Sequence, residues 1–149
     1  MKRAKLHAAI VGGSPDDLEH AFYEALQNGE MDPLLSCWAE EDDIAMVMSD
    51  GSRLLGHDQI RAGFSDWLSQ GRVQTTVQSV HKIEALAFAI HQFIEITSQN
   101  DGIGATAHAM NVTHVYQKLP QGWRLMARHV SPCSEKQALA QEQTPHMWH

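Results

Sequence analysis

From Arg72 onward the hydrophobic period of this chain changes, and that change limits its fold more than any other feature. The segments "VQTTVQSVHKIEAL", "AFAIHQFIEIT", "ATAHAMNVTHVYQKL" and "WRLMARHVS" are long and rich in β-branched, aromatic or alternating residues, the signature of strands. Turn signals at Gln99-Asn100-Asp101-Gly102 and Pro120-Gln121-Gly122 separate the last three, as in a meander of hairpins. Before Arg72 the period is helical. "SPDDLEHAFYEALQNGE" offers Ser14 as a cap, Pro15 at the first helical position and acids at the positive end. Leu18, Phe22 and Leu26 form its apolar stripe, and Asn28-Gly29 stops it. "MDPLLSCWAEEDD" repeats the device with Asp32 as cap and Pro33 next, and "GHDQIRAGFSDWLSQG" carries Ile60, Phe64, Trp67 and Leu68 on one face. Between them "IAMVMSDG" reads as a short strand closed by a turn. Three helices followed by an antiparallel sheet is the α+β pattern.

The length of 149 residues suits one domain. The expected organisation is an arm over residues 1–13, a domain over 14–133 and a tail over 134–149, partly helical and then frayed. The net charge of −7 is unevenly placed: residues 16–66 hold thirteen acids against only Arg53 and Arg61. An acidic half opposes binding to a phosphate backbone, so nucleic acid is not an expected partner. No stretch approaches the ~20 apolar residues of a membrane span, so no membrane partner is expected either. Cys37 and Cys133 lie far apart without CxxC spacing, which suits a reducing compartment and a cytoplasmic protein. The ten histidines form no HxH, HExxH or Cys-His set. With no Gly-rich phosphate loop and no nucleophile elbow either, neither a metal nor another cofactor is expected.

Two passages, "LLSCWAEEDDIAMVMSDGSRLLGHDQIRAGF" and "VTHVYQKLPQGWRLMARHVSP", resemble the SnoaL-like branch of the nuclear transport factor 2 superfamily. The resemblance runs from about Leu18 to Pro132. It implies a cone-shaped curved antiparallel sheet wrapped around three helices, the cystatin-like architecture, usually dimeric and with a pocket at the wide end. The family includes isomerases, dehydratases, cyclases, hydrolases and pure association domains, so the fold does not settle the function. Ketosteroid isomerase resembles this chain from Phe22 to Ser131, but its tyrosine, base and protonated aspartic acid fall at Phe22, at Val47 or Met48, and near Thr113. Its three roles are therefore absent here, with Tyr23 one step from the required face and Asp50 in the turn.

Read with period two, the last strand puts Trp123, Leu125, Ala127 and His129 on one face. Asn111 and Thr113 should point the same way from the preceding strand. The expected pocket therefore gathers His129, Asn111 and Thr113 beside an apolar wall of Trp38, Trp123, Met46 and Met48, with Tyr23 at its edge. His91 and Glu95, on one face of their strand, line either the pocket or a dimer face. His129 is the best candidate for moving a proton near neutral pH. The bland alternative is a plug that hydrogen-bonds Asn111, Thr113 or a buried water. The opposite row, Met110, Val112, His114, Tyr116, Met126 and Val130, is expected to build a homodimer from the sheet's outer face. Two functions follow from the resemblance. One is a dimer that binds a small, largely apolar molecule, with isomerase- or lyase-type chemistry through a histidine as its enzymatic form. The other is a non-catalytic association module similar to the domain that gathers calmodulin-dependent kinases into rings.

Overall fold

Ser14 opens the first helix as its hydroxyl chemistry requires, its Oγ accepting the Asp17 N–H at 3.1 Å. In the computed structural model, which describes residues 13–100 and 105–134, this helix, α1, spans Pro15–Asn28. It ends at Gly29, whose left-handed φ of 67° lets its N–H close on the last turn. The short α2, Met31–Ser36, departs from expectation: Glu30 precedes it without a side-chain cap, and Asp32 lies inside the first turn. The Asp32 carboxylate instead pairs with Arg61 at 2.9 Å.

β1 (Ala45–Val47) turns through Gly51 into β2 (Arg53–Leu55), a three-residue strand too short for alternation to reveal. The third helix, α3, covers Gly56–Leu68. Four long strands follow: β3 (Arg72–Glu84), β4 (Phe88–Asn100), β5 (Ala105–Leu119) and β6 (Gly122–Pro132). The sheet order is β2-β1-β6-β5-β4-β3. Neighbours are antiparallel except β1 and β6, which run parallel. Three helices against this curved, open sheet make the α+β cone. Leu18, Phe22 and Leu26 of α1 and Ile60 and Phe64 of α3 form its core with the sheet's inner residues. The expected arm and the tail beyond residue 134 lie outside the described residues, as does part of the Gln99–Gly102 turn.

The sheet faces the opposite way from the sequence-based expectation over β5 and the second half of β6. Val112, His114 and Tyr116 are buried against the helices, and Met110, Met126 and Val130 pack in or against the same core. The row expected to build a dimer is thus the inner row. The cause in β6 is a bulge: Tyr116 partners Leu125 while Val115 partners Ala127, leaving Met126 as an extra residue. There β6 changes partner. Leu125 N–H donates to Cys37 O at 2.8 Å and Leu125 O accepts from Ala39 N–H at 3.0 Å, whereas residues from Ala127 onward pair with β1. One inserted residue reverses every side chain after it. Leu125 faces inward before the bulge, and Arg128 and Val130 face inward after it.

Candidate functional site

A cavity of about 490 Å³ opens between α3, β1 and the inner face of β4–β6. Its apolar wall is Met46, Met48, Phe64, Trp67, Met110 and Val130. Helical spacing explains the two aromatics: Phe64 and Trp67 are three apart on α3, and their rings stack at 6.4 Å. Period two brings Glu95 and Thr97 to the inner face of β4, beside Met110 of β5. Arg128 reaches the same floor from beyond the bulge.

The floor is a closed polar cluster. Arg128 Nη2 donates to both Glu95 oxygens, at 2.9 Å to Oε2 and 3.2 Å to Oε1. Tyr23 Oη donates to Oε2 at 2.6 Å and Thr97 Oγ1 to Oε1 at 2.8 Å. A carboxylate offers about four acceptor sites, and all are taken. Burial alone would raise the Glu95 pKa, but the Arg128 charge and the donated hydrogen bonds outweigh it and hold the carboxyl below its usual range. An ionised carboxylate with no free lone pair is a poor general base. Burial likewise opposes the Arg128 charge, and Glu95 more than restores it. Tyr23 is held neutral, its pKa well above normal through burial and then the neighbouring Glu95 charge.

The cluster continues away from the cavity through the core. Arg128 Nη1 donates to Tyr23 Oη at 3.3 Å and to His114 Nε2 at 2.9 Å. An acceptor at Nε2 fixes the proton on His114 Nδ1, which donates to Tyr116 Oη at 2.8 Å. Tyr116 donates to Glu19 Oε1 at 2.9 Å, where His91 Nδ1 also donates at 3.1 Å. Burial, then the charge of Arg128, pushes the His114 pKa well below normal and keeps the imidazole neutral. Phe22 and Phe93 meet His114 edge-on, and the Arg128 guanidinium lies 5.3 Å above the Phe22 ring centre. Asp16, Glu19 and His91 bring three donor atoms within 4.8 Å of one another. The Lys82–Asp16 ion pair at 2.8 Å and the two hydrogen bonds into Glu19 already account for that grouping.

Of the expected pocket residues, Met46, Met48 and Glu95 line the cavity, and Tyr23 lies beneath it on Glu95. Trp38 is core, with its indole N–H unpartnered among the described residues. His91 sits at the far end of the polar chain beside Glu19, its Nε2 buried without a partner among the described residues. Trp123 pairs with Lys118 at the opposite end of β6. Asn111, Thr113 and His129 belong to the outer face, Thr113 and His129 being direct cross-strand partners. His129 is exposed there and touches neither cavity nor core, so both roles expected for it, proton shuttle and core plug, are corrected. The groups missed by sequence were chiefly Arg128, Thr97 and the Phe64–Trp67 pair. The aromatics were already on the helix stripe. Arg128 carried no signal, because an arginine on an apolar row reads as solvent-facing. The Cys37 thiol, pushed up to about 12 by burial, stays protonated and is no nucleophile.

The model of the SnoaL-like domain family matches residues 16–135, which takes in all of this fold but the first residue of α1. The chain belongs to that family. Among solved structures, this SnoaL-like domain is similar to a candidate dehydratase of the NTF2-like family from Streptomyces avermitilis. Identity is 22%, with 78% of this chain and 91% of the other covered and a TM-score of 0.73. It is also similar to a candidate calcium/calmodulin-dependent protein kinase type II association domain from Thiobacillus denitrificans, at 28% identity over 82% of this chain and 97% of that one, TM-score 0.73. An NTF2-like superfamily protein from Salmonella enterica serovar Typhimurium shares the fold at 11% identity, covering 89% and 94% of the two chains, TM-score 0.72. No curated protein matches this chain. None of its helices among the described residues is long and apolar enough to cross a membrane.

Proposed function

We propose that this SnoaL-like domain binds a small, largely apolar molecule in the cavity between α3 and the inner sheet. The observation that carries the reading is a cavity of about 490 Å³ with a methionine and aromatic wall over a satisfied polar floor. That size and lining match the usual small-molecule site. The floor argues for binding rather than acid–base chemistry through Glu95 or His129, because Glu95 has no acceptor site left and His129 stands on the other side of the sheet. The cytoplasm remains the proposed location, supported by the unbridged Cys37 and Cys133 thiols.

The association reading keeps support from the likeness to the Thiobacillus denitrificans association domain. Apart from it, we propose a homodimer of the binding domain through the outer face, now assigned to Ile90, Ile94, Ile96 and Val115, which share that face by their register. Cavity binding and outer-face pairing are compatible, since they use opposite sides of one sheet.

The test uses the uncharged fluorescent probe N-phenyl-1-naphthylamine with the full chain. Enhanced emission on mixing, lost in Met48→Trp, supports the reading. A folded wild-type protein that leaves the probe dark, or a Met48→Trp variant that brightens it equally, overturns it.

A further inference from the structure

Resting on that reading, we infer that the cavity selects organic cations, an amine or alkylated ammonium carried on an apolar body, and disfavours carboxylates. The charges around the cavity decide this. Arg128, the one arginine lining it among the described residues, has both Nη groups committed. Its Nη2 is engaged by both Glu95 oxygens, and its Nη1 by Tyr23 and His114. An anionic ligand would have to break that buried pair and strand Glu95, a costly exchange in a desolvated site. The floor is therefore electrically balanced.

The mouth is not balanced. Two carboxylates line the cavity there, Asp50 from the β1–β2 turn and Asp66 on α3, against one imidazole, that of His108 on β5. Asp50 is held ionised by the Ser52 N–H, which donates to its Oδ1 at 2.8 Å. Both acids belong to the acidic stretch 16–66, whose general field has the same sign. A cleft lined by one sign of charge raises the local concentration of the opposite ion. Trp67 adds a π face on the same wall, the surface that best complements an alkylammonium, and the methionines add polarisable sulfur. The apolar body of the ligand fills the Met46–Phe64–Val130 wall while its charged head stays at the mouth between the aspartates and Trp67.

The test compares three matched probes on the full chain by calorimetry and by shifts of the lining resonances: 2-phenylethylamine, 2-phenylethanol and phenylacetate. The amine is expected to bind about threefold to tenfold tighter than the alcohol, as two partly screened charges allow, and phenylacetate weakest. The preference should shrink at about 0.5 M salt and in the double variant Asp50→Asn/Asp66→Asn, whose positions are exposed and whose melting reports intact folding. Phenylacetate binding as tightly as the amine overturns the charge preference and leaves the pocket reading standing, since the alcohol still reports the pocket. An amine preference unchanged in the double variant overturns the role of the aspartates. If none of the three probes shifts a lining residue, the pocket reading falls together with this one.

Discussion

Arg128 Nη2 stands 2.9 Å from Glu95 Oε2, across the intervening strand β5 and almost wholly out of solvent. Each charge is tolerable in the interior only because the other is there, together with Tyr23, Thr97 and His114. Such a buried pair adds little net stability: removing one partner leaves an uncompensated buried charge, whereas removing both does not. It also gives the cavity a floor that is polar but neutral overall.

Arg128→Met alone should destabilise the domain by about 3–5 kcal/mol. The double variant Glu95→Gln/Arg128→Met should lose clearly less than the sum of the single losses. Urea midpoints of the four proteins measure the cycle. Additive losses would mean that the two side chains do not act on one another.

Acid should destabilise in two stages with one sign. His114 has its folded pKa pushed well below the ordinary histidine value of 6.5, so below that pH the unfolded chain takes up a proton that the folded one refuses. Glu95 has its folded pKa below 4.5, so on further acidification the same imbalance recurs. Because the unfolded state binds more protons in both windows, stability rises with pH, by up to about 1.4 kcal/mol per unit for each group. Urea unfolding between pH 7 and pH 4, taken on wild type and His114→Gln, should show the first window flattened in the variant. A wild-type curve level from pH 7 down to pH 5 would contradict the buried neutral imidazole.

His129→Ala should leave stability within about 0.5 kcal/mol of wild type and leave probe emission unchanged, as for an exposed outer-face residue. Trp67→Ala, in contrast, should weaken probe binding while the chain stays folded. Thermal melting with a probe titration of both variants separates them. A large loss of binding in His129→Ala would restore the role the sequence pointed to.

If copies of the chain pair through the outer face, Ile90→Lys/Val115→Lys should give a monomer in light scattering where the wild type gives a dimer at micromolar concentration. Both positions sit in one cross-strand pair, so two like charges there would oppose one another across a twofold interface. A variant that keeps the wild-type mass would remove this face from the interface.

Much of the architecture was legible before any coordinates. Ser14, Pro15 and Gly29 bound α1 through local capping chemistry, and the stripes Leu18–Phe22–Leu26 and Ile60–Phe64 mark the faces that bury. Those signals act within a few residues, so they survive without a tertiary structure. The candidate site was legible only in its members on and just after β1 and on β4: Met46 and Met48 as wall, and Glu95 by its place on the face of β4 that turned inward. Tyr23 was noticed for the wrong reason, as a displaced catalytic tyrosine, and proves to be a donor to Glu95.

Period two by itself determined that β5 and β6 each have two faces, but not which face is inward. On β5 both rows were apolar enough to be core, and only the fold brings Glu19 and Arg128 to complete the hydrogen bonds of a buried His114 and Tyr116. On β6 the decision fell at Met126, where the strand stops pairing with the Cys37–Ala39 segment and begins pairing with β1. That change of neighbour is a meeting of elements far apart in the chain, and the extra residue it inserts sends Arg128 inward and His129 out. The arginine then meets Glu95, 33 residues away in sequence, and only the assembled sheet supplies the partner that makes a buried guanidinium stable. Local patterning wrote the helices and strands; the long-range pairing of β6 chose the charges at the bottom of the cavity.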